Sequence, residues 1–229
     1  MLLATPAAVV SAQNATPSAN ADAGYDFKGA RLGMTFDEWK AVAPPINLRE
    51  SNLGVDEKAP PLRIWCSDTR YELIKGHTIP AVRLTAAEER AGVTTCAYGR
   101  LIRFMGRPQF SAAFIELGDG LSNHVIYKFR EGRLYEIEIE ALIKIYPGIL
   151  EGLTAKFGAP AEDKRDTVTN GYGSDFPRTS KTWARGDSAI HLEAPYKKVD
   201  QMKVAFFTPS AWQRILDLQP KGPPSASKM

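Results

Sequence analysis

Between Leu134 and Glu140 the sequence alternates strictly between apolar and acidic residues. The apolar set and the acidic set interleave one by one: Tyr135, Ile137 and Ile139 with Glu136, Glu138 and Glu140. A period of two is that of a β-strand, whose successive side chains point to opposite faces of a sheet. We therefore predict a strand with one buried face and one face in water. The glutamate row is interpreted as this solvated face, and the alternative is a site for a divalent cation or a basic partner.

Turn signals on both sides place this strand in an antiparallel meander. Gln109–Leu117 and Asn123–Phe129 flank Gly118-Asp119-Gly120 and predict a hairpin, and a turn at 130–133 leads into the alternating strand. Other apolar runs predict six more strands: Leu62–Ser67, Ile79–Leu84, Val93–Tyr98, Thr179–Ala184, Ser188–Glu193 and Lys203–Phe207. The segment Ala161–Pro177 is polar and is expected to be a loop.

Short helices are predicted where capping signals precede apolar residues. Thr35 and Glu38 form a capping box, with Met34 and Trp39 as a hydrophobic staple. Further helices are expected as a single turn at Thr85–Glu88, from Pro147 to Phe157 with Gly158 as the stop, and from Pro209 to Leu216.

The order of these elements is helix, strands, helix, strands, helix, without regular β-α-β alternation. This order predicts an α+β fold, with antiparallel sheet and short helices packed on one face, and it leaves open two helix-plus-sheet repeats. With 44% hydrophobic and 24% charged residues, the composition excludes a wholly disordered, collagen-like or coiled-coil chain.

The two ends of the chain differ from its middle. Residues 1–12 combine an apolar run with Val10-Ser11-Ala12, which fits cleavage by a signal peptidase after Ala12, although no Lys or Arg precedes the run. The alternative is a disordered Ala-rich tail. Residues 13–24 are predicted to be a disordered spacer, 25–218 a single domain with possible halves at 25–142 and 143–218, and 219–229 a disordered tail. We therefore expect a periplasmic or secreted bacterial protein without a transmembrane span.

Export also decides how the two cysteines are interpreted. Cys66 and Cys96 lie 30 residues apart, each in a predicted strand. In an oxidising compartment such a pair indicates a structural disulfide. Two buried reduced thiols are the alternative.

The sequence indicates no catalytic residue, metal ligand or cofactor. The net charge of +3 comes without a basic cluster, so no nucleic-acid partner is predicted. The histidines, His77, His124 and His191, lack the spacing of zinc ligands, and no Gly-x-Ser-x-Gly elbow is present. Arg100, Arg103 and Arg107 would form a basic amphipathic surface only if the segment were helical.

Two segments resemble exported bacterial proteins with helix-plus-antiparallel-sheet repeats. They are Phe27–Trp39, which contains Gly33-Met34-Thr35, and Ile149–Pro160, which ends Gly158-Ala159-Pro160 and leads to Trp183. The resemblance is to the small outer-membrane-assembly lipoproteins of the SmpA/OmlA type and to the β-lactamase-inhibitor-like fold. It implies a non-catalytic role in contacting proteins in the periplasm. The chain has no cysteine near residue 20 to carry a lipid, so the lipid anchor is not implied.

The hypothesis from sequence is an exported, non-catalytic module that binds a protein partner in the cell envelope, with its oligomeric state open. Tyr172 and Trp183 are the candidate contact residues, because exposed aromatic side chains dominate the energetics of interfaces. For Trp183 itself, burial in the core is the favoured interpretation, and a surface contact is the alternative. The rival function is a periplasmic hydrolase, which a pocket containing His124 or His191 with a carboxylate and a nucleophile would favour.

Overall fold

The computed structural model describes residues 24–42, 61–68, 82–104, 107–118, 120–122, 124–169 and 173–218. The predicted signal-peptide remnant 1–12, nearly all of the spacer 13–24 and the tail 219–229 lie outside these residues, as do His77 and Tyr172. In the described part of the chain, none of the helices has the length and apolar character needed to cross a membrane.

A nine-stranded antiparallel sheet dominates the described residues. In chain order its strands are β3 (Arg63–Cys66), β4 (Val93–Phe104), β5 (Arg107–Ala112), β8 (His124–Arg130), β9 (Arg133–Leu142), β10 (Glu162–Thr169), β11 (Asp175–Arg185), β12 (Ser188–Ala194) and β13 (Gln201–Phe207). Their spatial order is β10-β11-β12-β13-β9-β8-β4-β3, and β5 pairs with β4. The sheet is continuous across residue 142, because β9 pairs with β13.

In the described part of the chain, two small hairpins and four α-helices accompany this sheet. The hairpins are β1 (Asp26–Phe27) with β2 (Ala30–Arg31), and β6 (Ile115–Leu117) with β7 (Gly120–Ser122). The helices are α1 (Phe36–Ala41), α2 (Ala86–Arg90), α3 (Tyr146–Phe157) and α4 (Pro209–Leu216). This mixture of antiparallel sheet and short helices confirms the predicted α+β class.

The main core lies on the sheet face that carries Ile137 and Ile139 of the alternating strand. Tyr135 departs from the predicted alternation and packs on the opposite face, because the pairing of β8 and β9 shifts register between Lys128 and Phe129. Ile137 and Ile139 of β9 are fully buried, opposite Tyr127 and Val125 of β8. On the other side of β9, strand β13 places Phe206 opposite Ile137 and Val204 opposite Ile139. The period-two pattern therefore places these side chains on one face, as predicted.

Helix α1 inserts a tryptophan into this core. Its capping box is as predicted: Glu38 N donates to Thr35 Oγ1 at 3.2 Å, and Thr35 N donates to a Glu38 carboxylate oxygen at 2.7 Å. Trp39 is 1% exposed, with ring centroids 4.8 Å from Tyr127 and 5.2 Å from Phe129. A six-residue helix is too short to be stable by itself, so this aromatic packing holds it in place.

The helices lie on both faces of the sheet, whereas the sequence suggests one face only. Helices α1 and α3 pack on the main core, where Leu153 of α3 is buried. Helices α2 and α4 contact each other on the opposite face, over Val93 and Tyr135. A capping box begins α2 at Thr85, in agreement with the prediction.

Four local predictions are wrong. The expected hairpin of Gln109–Leu117 with Asn123–Phe129 does not form: β5 pairs with β4, β8 pairs with β4 and β9, and only Ile115–Leu117 pairs with Gly120–Ser122. The described part of Ile79–Leu84 is not a strand, and the expected loop 161–177 contains β10 and the start of β11. Strand β10 escapes sequence analysis because it is a charged edge strand exposed on both faces, so it has no apolar alternation; such charge also protects an edge from further pairing. Arg100 and Arg103 lie in β4 and Arg107 in β5, so no basic amphipathic helix forms.

The predicted disulfide is present. Cys66 and Cys96 are directly opposite each other on β3 and β4, with Cα atoms 4.1 Å apart and a bond between the sulfurs. Both cysteines are buried in the main core. The bond therefore ties the edge strand β3 to its neighbour β4.

Candidate ligand-binding groove

A partly open cavity of about 410 Å³ runs beside α3 on the main-core side of the sheet. We call it the α3 groove. Helix α3, the β1–β2 hairpin and β6 surround it, and six buried apolar side chains line it: Phe27, Leu117, Ile139, Leu153, Val204 and Phe206. Cavities of about 300–1,000 Å³ with apolar walls are typical of small-molecule sites.

The wall made by β6 depends on a glycine in β7. A Cβ atom at Gly120 would lie 2.4 Å from Cγ2 of Ile145, which a real side chain cannot tolerate. Because Gly120 pairs with Leu117, this close approach seats the hairpin against the segment that leads into α3. Leu117 thereby reaches the groove.

Two glycines of α3 leave room in the groove. Gly148 and Gly152 lie one helical turn apart and both line the cavity. A Cβ atom at either position would meet no atom within 4 Å, so no neighbouring group of the chain requires a glycine there. Glycine inside a helix costs about 1 kcal/mol relative to alanine. Because these two residues have no side chains, the volume beside this part of α3 stays empty.

Charged residues surround the mouth of the groove. Lys156 Nζ of α3 donates to Asp26 Oδ1 of β1 at 2.9 Å and links the two walls. Glu116 of β6 and Lys28, at the tip of the β1–β2 hairpin, also line the cavity. An apolar interior with a charged mouth is the arrangement expected for a ligand that has one apolar and one polar end.

The opposite face of the sheet carries a buried ionic network instead of a solvated surface. Glu136 and Glu138 are only 3% and 8% exposed, so the prediction of a solvated glutamate row is wrong for them. Lys128 of β8, with a side chain 15% exposed, places Nζ 3.1–3.2 Å from carboxylate oxygens of Glu88, Glu136 and Glu138. Glu88 belongs to α2. This short helix covers the glutamates of β9. The alternating sequence of β9 does not predict that a helix lies over them.

Burial and charge act in opposite directions on the acids of the network. Burial raises the pKa of Glu138, but the ammonium groups of Lys128 and Lys203 outweigh it and lower the pKa to about 2. Burial raises the pKa of Glu136 in spite of Lys128. The surrounding carboxylates outweigh burial at Lys128 and raise its pKa, so this lysine stays charged.

The Glu138 carboxylate is expected to stabilise the fold in a pH-dependent way. Its folded pKa of about 2 lies below the usual value near 4.3, so the stabilisation is complete above pH 4.3 and disappears as the pH falls through 2. Glu138→Gln should lower the free energy of unfolding by about 2–3 kcal/mol at pH 7, and the difference from the wild type should vanish near pH 2. Urea unfolding between pH 7 and pH 2 measures this. Glu151→Gln, at an exposed position of α3, is the control and should change little at any pH.

One part of this face brings together a histidine and two acids with the potential to bind a metal ion. Ligand atoms of His124, Glu138 and Glu140 all lie within 4.8 Å of one another. However, Lys197 Nζ lies 2.5 Å from a Glu140 oxygen, and Lys203 Nζ lies 3.4 Å from a Glu138 oxygen. A divalent cation would have to displace both ammonium groups. The arrangement therefore favours an ion-pair network over a metal centre.

At His191, a hydroxyl group and a carboxylate lie near the imidazole ring, which is the kind of arrangement that the hydrolase hypothesis requires. Thr182 Oγ1 lies 3.2 Å from Nδ1 of His191, and Nε2 lies 3.8 Å from a Glu193 oxygen, which is beyond hydrogen-bonding distance. Glu193 also pairs with Arg178 at 3.1 Å. By the strand register, His191 and His124 both lie on the face opposite the α3 groove. Neither histidine lines that groove, so the geometry does not support a hydrolytic site there.

Of the two predicted contact residues, only Trp183 falls within the described residues. It is 1% exposed, and its Nε1 donates to the carbonyl oxygen of Gly158 at 2.8 Å. Trp183 is therefore a core residue that anchors the end of α3 and not a surface contact. Sequence reasoning missed the groove, because its walls come from segments far apart in the chain. Gly148 and Gly152, one turn apart in an otherwise good helix, were the available signal.

No family model, curated protein or solved structure matches this chain. The resemblance to outer-membrane-assembly lipoproteins and to the β-lactamase-inhibitor-like fold stays a prediction. A functional assignment therefore has to be argued from the geometry of the chain itself.

Proposed function

We propose that this protein is a non-catalytic binding protein whose ligand is a small, largely apolar molecule held in the α3 groove. The observation that carries the proposal is a cavity of about 410 Å³ with buried apolar walls. Exposing such walls to water is unfavourable by roughly 25 cal/mol for each Å² of apolar surface, and a ligand that covers them recovers this free energy.

The size of the groove favours a small molecule over a folded partner. Stable protein interfaces bury about 800 Å² on each partner, whereas cavities of a few hundred Å³ enclose a single small ligand. Binding without catalysis agrees with the sequence hypothesis of a non-catalytic module. We retain from that hypothesis the proposal of export to the periplasm or the medium. A partner protein in the envelope would then use another surface, as donor or acceptor of the ligand.

Filling the groove from α3 is expected to abolish binding without harming the fold. Gly152→Leu places a leucine where a Cβ atom meets nothing within 4 Å, and leucine is about 0.8 kcal/mol better than glycine in a helix. We expect the affinity for the neutral fluorescent probe N-phenyl-1-naphthylamine to fall by about tenfold or more, because the side chain occupies the volume of the ligand. The measurement is a fluorescence titration of the purified protein with the probe.

Ala155→Leu is the matched control for this experiment. Ala155 is exposed on the same helix and does not line the groove, so its substitution should leave the titration unchanged. Urea unfolding of all three proteins shows whether the helix is intact. If Gly152→Leu is folded and still binds the probe as the wild type does, or if the wild type does not bind the probe, the proposed function is wrong.

A further inference from the structure

We infer that the ligand of the α3 groove is an anionic amphiphile with a single chain, of the long-chain carboxylate class, whose carboxylate lies beside Lys28. The inference rests on the proposed function and adds the chemical class of the ligand. It follows from the distribution of charge at the mouth of the groove and from the position of Lys28 next to the apolar floor.

The β1–β2 hairpin holds Lys28 at the mouth. Asp26 pairs with Arg31 and Phe27 with Ala30, so Lys28 and Gly29 form the two-residue turn. Both have positive φ, 49° for Lys28 and 90° for Gly29, as the turns that join two antiparallel strands require. The exposed Lys28 side chain lines the groove and is positioned by this turn.

The charges at the mouth do not all have partners. Lys156 is neutralised by Asp26 at 2.9 Å, and Glu116 is engaged in an interaction of its own. Among the residues that the structure describes, Lys28 makes no ion pair, so it is the cation of the mouth that can receive an anionic group. An anion on the ligand would complement this charge, whereas a cation would be repelled.

The apolar floor begins at the residue before Lys28. Phe27 is buried in the groove, with its ring centroid 5.7 Å from that of Phe206. A chain lying on these two rings therefore has its end within reach of the Lys28 ammonium group. A long-chain carboxylate can make both the apolar contact with the rings and the ionic contact with Lys28. A hydrocarbon or an alcohol can make only the apolar contact.

The test compares ligands that share a chain and differ in the head group. Dodecanoate, 1-dodecanol and dodecylamine, each below its micellar concentration or solubility limit, compete with N-phenyl-1-naphthylamine for the purified protein at pH 8 and low salt. We expect dodecanoate to displace the probe at about fivefold lower concentration than 1-dodecanol, and dodecylamine to be the weakest. Lys28→Gln should remove the advantage of dodecanoate and leave 1-dodecanol unchanged. Lys144→Gln is the control, since Lys144 is exposed and does not line the groove.

Each outcome decides between the inference and the proposed function. Equal displacement by dodecanoate and 1-dodecanol, or an advantage of dodecanoate that survives Lys28→Gln, overturns the inference but leaves a groove for apolar ligands. Stronger displacement by dodecylamine also overturns the inference. If the protein binds neither these molecules nor the probe, both the inference and the proposed function are wrong. Binding only to vesicles of anionic phospholipid, with no displacement by free dodecanoate, would replace the inference with a membrane surface as the partner.

Discussion

Lys128→Met is expected to lower the free energy of unfolding at pH 7 by about 3–5 kcal/mol, the usual cost of removing one partner from a buried ion pair. Methionine keeps an unbranched apolar side chain in place of the lysine stem but leaves Glu88, Glu136 and Glu138 without the ammonium group that now lies 3.1–3.2 Å from each of them. Three carboxylates close together in a partly dry site repel one another strongly. Urea unfolding of the purified variant measures the loss.

The loss should shrink in acid, because buried carboxylates without a cation take up protons readily. Between pH 7 and pH 5 the Lys128→Met variant should therefore gain stability relative to the wild type. The control is Lys164→Met in β10, where the lysine side chain is 70% exposed and pairs with Glu162 at 3.0 Å. An exposed pair contributes little, so this change should stay within about 0.5 kcal/mol. Equal effects of the two substitutions would contradict the role assigned to the network.

Loss of the disulfide is expected to have the second largest effect. The double variant Cys66→Ala, Cys96→Ala should lose about 3–4 kcal/mol of unfolding free energy, because the bond closes a loop of 30 residues in the unfolded chain. Alanine keeps the positions apolar, so packing in the core changes little. The measurement is urea unfolding of the oxidised wild type and of the double variant, with the dependence on urea concentration compared as well.

Reduction provides the control for this experiment. A thiol reductant present during unfolding should bring the wild type down to the stability of the double variant and should leave the double variant unchanged. Both cysteines are buried, so the reductant acts on unfolded molecules and equilibration must be long. If the double variant is as stable as the oxidised wild type, the disulfide does not tie β3 to the sheet in the way described.

The two faces of the nine-stranded sheet bury different kinds of side chains. The face toward α3 buries most of the apolar side chains and leaves the groove, whereas the face toward α2 buries an ion-pair network. Ile139 lines the groove, so a ligand held there would contact it, whereas its neighbours Glu138 and Glu140 point to the other face. Changes in the network therefore test stability, and changes at Gly152 and Lys28 test binding, with little overlap between them.

Local signals in the sequence predicted most of the elements correctly. The Thr35 and Glu38 capping box, the Pro147 start and Gly158 stop of α3, and the alternation of β9 each depend on a few neighbouring residues. Such signals act through hydrogen bonds and side-chain directions within one turn or one strand, so they can be recognised without the rest of the chain. The disulfide was predictable as well, since both cysteines lie in strands of an expected exported protein.

Apart from the disulfide, several predictions that depended on distant neighbours failed. The alternation of β9 identifies a strand with two unlike faces, but it does not reveal that α2 brings Glu88 over one of them. Strand β10 lacks apolar residues because it lies at an edge, and only its pairing with β11 identifies it as a strand. The burial of Trp183 agrees with the favoured interpretation, but its hydrogen bond to Gly158 is a tertiary contact that no local pattern predicts.

By itself the sequence determined the α+β class, the bounds of its strongest helices and strands and the pairing of its two cysteines, because each follows from local backbone chemistry or from a pair without competitors. The tertiary structure decided which polar face is buried and where a cavity remains. Glu136 and Glu138 are acidic residues on any reading of the sequence, but only the position of Lys128 and α2 makes their burial tolerable. The α3 groove likewise exists only because β1, β6, β13 and α3, which are separated by up to 180 residues of chain, meet around the same volume.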